Sequence, residues 1–183
     1  MNPDDLRALQ APLKETYRID PDAALVTLTA RGQIGEGISC SVRTGQALVN
    51  AGLHPATGGT GTLACSGDML LEALAACAGV TMSAVATAIG VDIRDGAVSV
   101  EGDLDFRGTL GVSKEAPVGF QAVRLTFELD SDATEEQLDT LLRLTERYCV
   151  VYQTLRQPPS ILVSRTKSQQ HAHDDRRTSP PTH

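Results

Sequence analysis

The stretch that decides the fold is Ser66–Gly90, SGDMLLEALAACAGVTMSAVATAIG. It is apolar on nearly every side. Ser66 and Gly90 stand where an N-cap and a left-handed C-terminal residue belong. The stretch therefore reads as one long helix with Cys77 at its middle. Its length raises the question of a membrane span. Asp68 and Glu72, with the density of Ala, Ser and Thr, point instead to a buried core helix. A helix apolar all round needs more cover than one small sheet supplies.

On either side the pattern changes to strands. Upstream, Ala24–Ala30 (ALVTLTA) alternates, and Gly37–Val42 (GISCSV) is its expected hairpin partner across RGQIGEG. Residues 44–65 are expected to form a loop. Its LHPATGGTGT glycines lack the Gly-Lys-Ser/Thr ending of a phosphate cradle, so they read as structural. Downstream, Ala97–Phe106 and Ala122–Leu129 read as strands. In the second, Val123, Leu125, Phe127 and Leu129 face one way and Arg124, Thr126 and Glu128 the other, as in a half-buried antiparallel strand.

Thr134–Cys149 (TEEQLDTLLRLTERYC) is a second helix. Thr134 and Gln137 have capping-box spacing. Leu138, Leu141, Leu142 and Thr145 make one face, with Cys149 on it. VVYQTLRQ continues as a short helix that Pro158 and Pro159 stop, and Ser160–Arg165 (SILVSR) reads as a last strand. The domain is thus α+β, with helices against antiparallel sheet. Residues 1–20 form an arm, 21–166 the domain, and 167–183 a polar tail expected to be disordered.

Composition narrows the function. With 183 residues, 41% hydrophobic and 21% charged, the chain can bury a good core. A net charge of −7 with no basic stripe argues against nucleic acid. The opening MNPDDLRALQAPLKE has acids where a signal peptide needs a basic start, so a cytoplasmic protein, with no membrane partner, is expected. In that compartment Cys40, Cys65, Cys77 and Cys149 are free thiols, a catalytic pair or metal ligands. No CxxC or HExxH spacing occurs, so neither a metal nor a cofactor is expected. A loop histidine before proline, His54, reads as structural.

Two segments taken together, SGDMLLEALAACAGVTM and ERYCVVYQTLRQPPSI, resemble the OsmC/Ohr family, the osmotically inducible and organic hydroperoxide resistance proteins. The element order from about residue 20 to 165 suits that family too. The resemblance implies an OsmC-like fold, with antiparallel sheets around long central helices in an intertwined homodimer. It also implies reduction of organic hydroperoxides by a cysteine pair that an external dithiol resets.

A thiolate attacks the peroxide O–O bond and becomes a sulfenic acid. A second thiol condenses with it to a disulfide, and a dithiol reverses that by exchange. A lone helical cysteine is ordinarily a small space-filler. Its matched partner turns that reading: Cys77 corresponds to the peroxidatic position and Cys149 to the resolving one. Most relatives have proline directly after the second cysteine, where Val150 stands here. Burial would raise the pKa of Cys77, so the thiolate calls for a nearby positive charge. The resemblance places Arg31 there, with Arg43 as the alternative. The family's glutamate, which holds the arginine, corresponds to the Gly67-Asp68 region. Asp68 is the nearest acid and Glu72 a second candidate. Nine residues of regular helix put Asp68 and Cys77 on opposite faces, so Asp68 would act from a frayed first turn or from a second subunit. Cys40 and Cys65 read as space-fillers. Two other readings stand beside the peroxidase: a binding protein for a small apolar ligand, and a thiol redox sensor.

Overall fold

A computed structural model describes residues 2–19, 31–34, 39–44, 47–111 and 113–165. Helix α1 (Pro3–Ile19) opens the chain with Asp4 and Asp5 in its first turn, where acids favour a helix N-terminus. A four-stranded sheet follows, in the order β1 (Arg31–Ile34), β2 (Ser39–Thr44), β3 (Ala47–Gly52) and β4 (Ala64–Cys65). The first three are antiparallel neighbours and β4 runs parallel to β3.

This sheet departs from expectation in two places. The anticipated turn at Arg31 is itself strand: β1 begins there and pairs Arg31 with Arg43, closing a tighter hairpin. The Ala24–Ala30 strand lies outside the described residues, as does the 167–183 tail. Residues 44–65 are not one loop. They hold β3, a 3-10 turn at Pro55–Thr57 and β4. The sequence ALVNAG carries too little alternation and too much Ala and Gly to announce a strand; pairing with β2 makes it one.

Helix α2 (Ser66–Ile89) leaves directly from β4. Its N-cap is Cys65, in extended conformation and without a side-chain cap bond, rather than Ser66. Cys65 still pairs with Gly52, so the chain turns helical at the sheet edge, one residue earlier than the capping signal suggests. Gly90 ends the helix as expected, at φ 74°, where its lack of a Cβ removes the usual cost.

A two-stranded antiparallel sheet lies against α2. Strand β5 (Asp95–Asp103) pairs with β6 (Ala122–Asp130), with Val98 opposite Phe127 and Val100 opposite Leu125. The first strand ends earlier than expected because the Asp105 carboxylate accepts from the Arg107 N–H at 3.0 Å and caps the short helix α3 (Phe106–Thr109). At Gly102 the Phe120 ring packs where a Cβ would stand, only 2.5 Å from it. On the outer face Arg124 pairs with Glu101 at 3.0 Å and with Asp103.

Helix α4 (Glu135–Tyr148) carries the expected capping box, with Gln137 N–H donating to the Thr134 hydroxyl and Thr134 N–H to the Gln137 side chain. Helix α5 (Val150–Arg156) follows after a single residue, Cys149. The buried stripe of α2 is Leu74, Ala78, Met82 and Ala86, at the four-residue spacing of one helix face. Met82 and Ala86 pack with Val91 and Leu141. Leu74 and Ala78 pack with Cys149, and Phe127 touches both clusters. The last expected strand, Ser160–Arg165, does not form. Pro158 and Pro159 carry the chain away from α5, and Ile161, Leu162 and Val163 stand 82%, 95% and 93% exposed. A strand needs a neighbouring edge, and no described strand of this chain pairs with them.

Candidate active site

The core brings Cys77 and Cys149 together. Cys77 lies on α2, three residues after buried Leu74, and is partly exposed. Cys149 is 1% exposed and joins α4 to α5, at φ −72° and ψ 110°. That one extended residue lets two helices meet at an angle while keeping their backbone bonds. Cys149 N–H donates to the Thr145 carbonyl and Gln153 N–H to the Cys149 carbonyl, each at 2.9 Å. Both cysteines are free thiols, and Cys77 packs against buried Cys149.

Their environments pull them apart. Burial is the largest influence on Cys77 and pushes its thiol up. Against it act the N–H of Val151, the Cys149 thiol, the N–H of Val150 and the Thr81 hydroxyl, and together they bring Cys77 below the ordinary thiol value. The Thr81 hydroxyl also donates to the Cys77 carbonyl at 2.7 Å. Its one proton serves one acceptor at a time, so the two amides and the partner thiol are the steady donors. Cys149 moves the other way. Burial raises it, and the hydrogen bond and charge of Cys77 raise it further, outweighing the Tyr152 and Val151 amides.

The side chains of the expected cations, Arg31 and Arg43, lie outside the described residues; among the described ones the groups that lower Cys77 are neutral donors. Sequence reasoning missed them because it weighed burial against charge and left out hydrogen bonds to the thiolate. A signal was present: valine replaces the proline that the resemblance leads one to expect after the second cysteine. Proline has no N–H to give; Val150 supplies one.

The remaining site residues are placed as follows. Arg31 and Arg43 are register partners on β1 and β2. Their side chains lie outside the described residues, as does that of Cys40. Asp68 is exposed in the first turn of α2 and lines a cavity of about 350 Å³ with His54, Cys65, Asp103 and Phe106. It does not meet Cys77 within the chain: nine residues put it about 13 Å along the helix and on the opposite face. Glu72 is exposed. His54 is structural, as expected. Its Nδ1 accepts from Ala56 N–H at 3.0 Å, and its ring stacks on Phe106 at 4.8 Å.

Beside the thiols runs an apolar groove of about 460 Å³ between α2, β6 and α5. Leu74, Leu125 and Tyr152 line it and also pack in the cluster that holds both cysteines. Arg156 is at its edge, with its guanidinium over the Tyr152 ring at 5.9 Å.

With this geometry in view, comparison with known proteins is decisive for the family. The model of the family described as OsmC-like protein matches residues 59–164, from the loop before α2 to the segment after α5. The chain belongs to the OsmC-like family. Solved structures agree on the fold. An OsmC-like protein from Mycoplasma pneumoniae is 19% identical with a TM-score of 0.62, covering 73% of this chain and 89% of its own. An organic hydroperoxide resistance protein from Elizabethkingia anophelis is 15% identical with a TM-score of 0.60, covering 73% and 91%. Another, from Legionella pneumophila, is 18% identical with a TM-score of 0.58, again covering 73% and 91%. No curated protein matches the chain. At these identities the structures establish the OsmC-like fold, and with it the α+β class expected from sequence.

Proposed function

We propose that this protein is a cysteine-based peroxidase that reduces organic hydroperoxides. The observation that carries the reading is the thiol pair. Two cysteines from distant elements pack together in the core, one below the ordinary thiol value and partly exposed, the other above it and buried. That division suits a nucleophile and a resolving thiol.

In the proposed cycle the Cys77 thiolate attacks the distal oxygen of ROOH. The O–O bond breaks, the alkoxide leaves as ROH after protonation, and Cys77 becomes a sulfenic acid. The Cys149 sulfur then forms the S–S bond and water departs. An external dithiol reduces the disulfide by two exchange steps and is itself oxidised by two electrons. The apolar groove favours organic over hydrogen peroxide, since burying each methylene contributes about 0.8 kcal/mol.

The rest of the reading is proposed with it. The active form is a homodimer in the cytoplasm. Val80 on α2 is 72% exposed and Ile161–Val163 more so, apolar side chains that a second copy would cover. In that dimer Arg31, or its register partner Arg43, orients the peroxide, and Asp68 holds the arginine from the second subunit. Turnover of cumene hydroperoxide with a dithiol, beside Cys77→Ser and Cys149→Ser, tests the reading. Activity that vanishes in Cys77→Ser supports it. No turnover with any dithiol, while Cys77 still reacts with thiol reagents, refutes it. The groove favours one second reading, a binding protein for a small apolar ligand, which would show tight binding without turnover. A redox sensor would instead show a slow, stable disulfide.

A further inference from the structure

One buried polar group plays no part in the scheme so far. Thr145 is 1% exposed, and its Oγ1 has no hydrogen-bond partner among the described residues. Helical hydroxyls usually escape this by bonding the carbonyl one turn back. Thr81, Ser83, Thr87 and Thr154 all do so here, at 2.7–3.0 Å. Thr145 does not. An unpaired buried hydroxyl is costly, and valine would fill the same space without it.

Its place suggests a use. Leu141, Thr145 and Cys149 form one buried stripe of α4. Residues four apart on a helix face have Cβ atoms about 5–6 Å apart. The bond from Cys149 N–H to the Thr145 carbonyl, at 2.9 Å, holds that spacing up to the helix end. Threonine has two usable χ1 wells in a helix, so rotation of one bond can turn the hydroxyl.

The chemistry supplies the need. With free thiols Cys149 is 1% exposed and Cys77 partly exposed, so an external thiolate is expected to attack the disulfide at the Cys77 sulfur. Attack there forms the mixed disulfide R–S–S–Cys77 and expels Cys149 as a thiolate. The second thiol of the reductant then closes its own disulfide and releases Cys77. Cys149 must therefore carry the leaving charge in a buried place, with Cys77 now bound to the reductant. Leaving-group stability controls the rate of such exchange. We propose that the Thr145 hydroxyl is the hydrogen-bond donor for the Cys149 sulfur when that sulfur leaves or attacks as a thiolate. This rests on the thiol-pair reading above and assigns Thr145 to its resolving half.

The test uses the full chain and two substitutions, Thr145→Val and Thr145→Ser. The disulfide is installed with diamide, verified by mass after digestion, and reduced with dithiothreitol while free thiol is followed by stopped flow. We expect Thr145→Val to be reduced about tenfold more slowly, as for loss of one bond to a charged group. Thr145→Ser keeps the parental rate. The reaction of Cys77 with peroxide is unchanged in both, and Thr145→Val melts no lower than the parent. Equal reduction rates in parent and Thr145→Val overturn the proposal, and so does equal slowing in both variants, which would be a packing effect. Absence of a Cys77–Cys149 disulfide after diamide removes its basis altogether. If diamide links the pair but peroxide does not, only the peroxidase reading fails, and Thr145 is still judged by the reduction rates.

Discussion

Val150→Pro isolates one hydrogen bond to the candidate nucleophile. The backbone is already suited to proline. Val150 is the first residue of α5, where the N–H has no intrahelical partner and proline's fixed φ fits. Cys149 before it is extended, at φ −72° and ψ 110°, close to what a residue preceding proline adopts. The substitution therefore removes one of the N–H groups that lower the Cys77 thiol, and little else. Stability should hold or rise by about 0.4–1 kcal/mol, because the unfolded chain loses freedom. A hydrogen bond to a charged group contributes about 1.5–3 kcal/mol. Cys77 is partly exposed, so solvent discounts this to about 1 kcal/mol, or about fivefold in thiolate population below its pKa.

The assay is the rate of iodoacetamide alkylation at Cys77 across pH, with thermal denaturation alongside. Removing a donor to the thiolate must raise the pKa, so the variant's profile should move to higher pH, with the same plateau and an unchanged or higher melting temperature. A profile that does not move would refute the reasoning: the amide would then not stabilise the thiolate. A profile that moves together with a fall in stability would mean that the helix junction had been disturbed instead.

Other outcomes follow from the same geometry. Cys77 lies below the ordinary thiol value and Cys149 above it, so lowering the pH should silence Cys149 first; peptide mapping of alkylated protein at a series of pH values checks the order. Gly102→Ala places a Cβ 2.5 Å from the Phe120 ring and should cost about 1–3 kcal/mol in urea denaturation while displacing a groove wall. An unchanged midpoint would mean that the ring moves freely. Thr134→Ala breaks the capping box and should cost about 1 kcal/mol without altering peroxide turnover. Replacing exposed Leu162 with Asp should shift the sedimentation of the chain toward monomer; an unchanged oligomer would remove Ile161–Val163 from the interface.

What was legible in the sequence is what neighbouring residues decide. The apolar run ending at Gly90 delimits α2. Thr134 and Gln137 mark the start of α4, and Pro158 and Pro159 stop α5. What was not legible depends on partners far along the chain. ALVNAG becomes β3 only because β2 lies beside it, whereas SILVSR alternates well and stays unpaired. Strand propensity records fitness for an edge, and the sequence does not say whether an edge is offered.

The site divides along the same line. The two thiols were legible as a pair, because their segments carry the family resemblance. The control of their charge was not. It arises where Cys149 interrupts two helices and leaves the Val150 and Val151 amides free beside Cys77. Nothing in the residue types at 150 and 151 encodes a donor, since every residue except proline has an N–H. The informative feature is an exclusion: a residue other than proline after the second cysteine. Thr145 is the complementary case. Its hydroxyl fits the sequence pattern of a buried helix face poorly, and the core pays for it with an unmet hydrogen bond. Local mismatch of that kind is expected where function opposes stability. That is why Thr145→Val, expected to leave the fold at least as stable, is also the substitution expected to slow the resetting of the thiol pair.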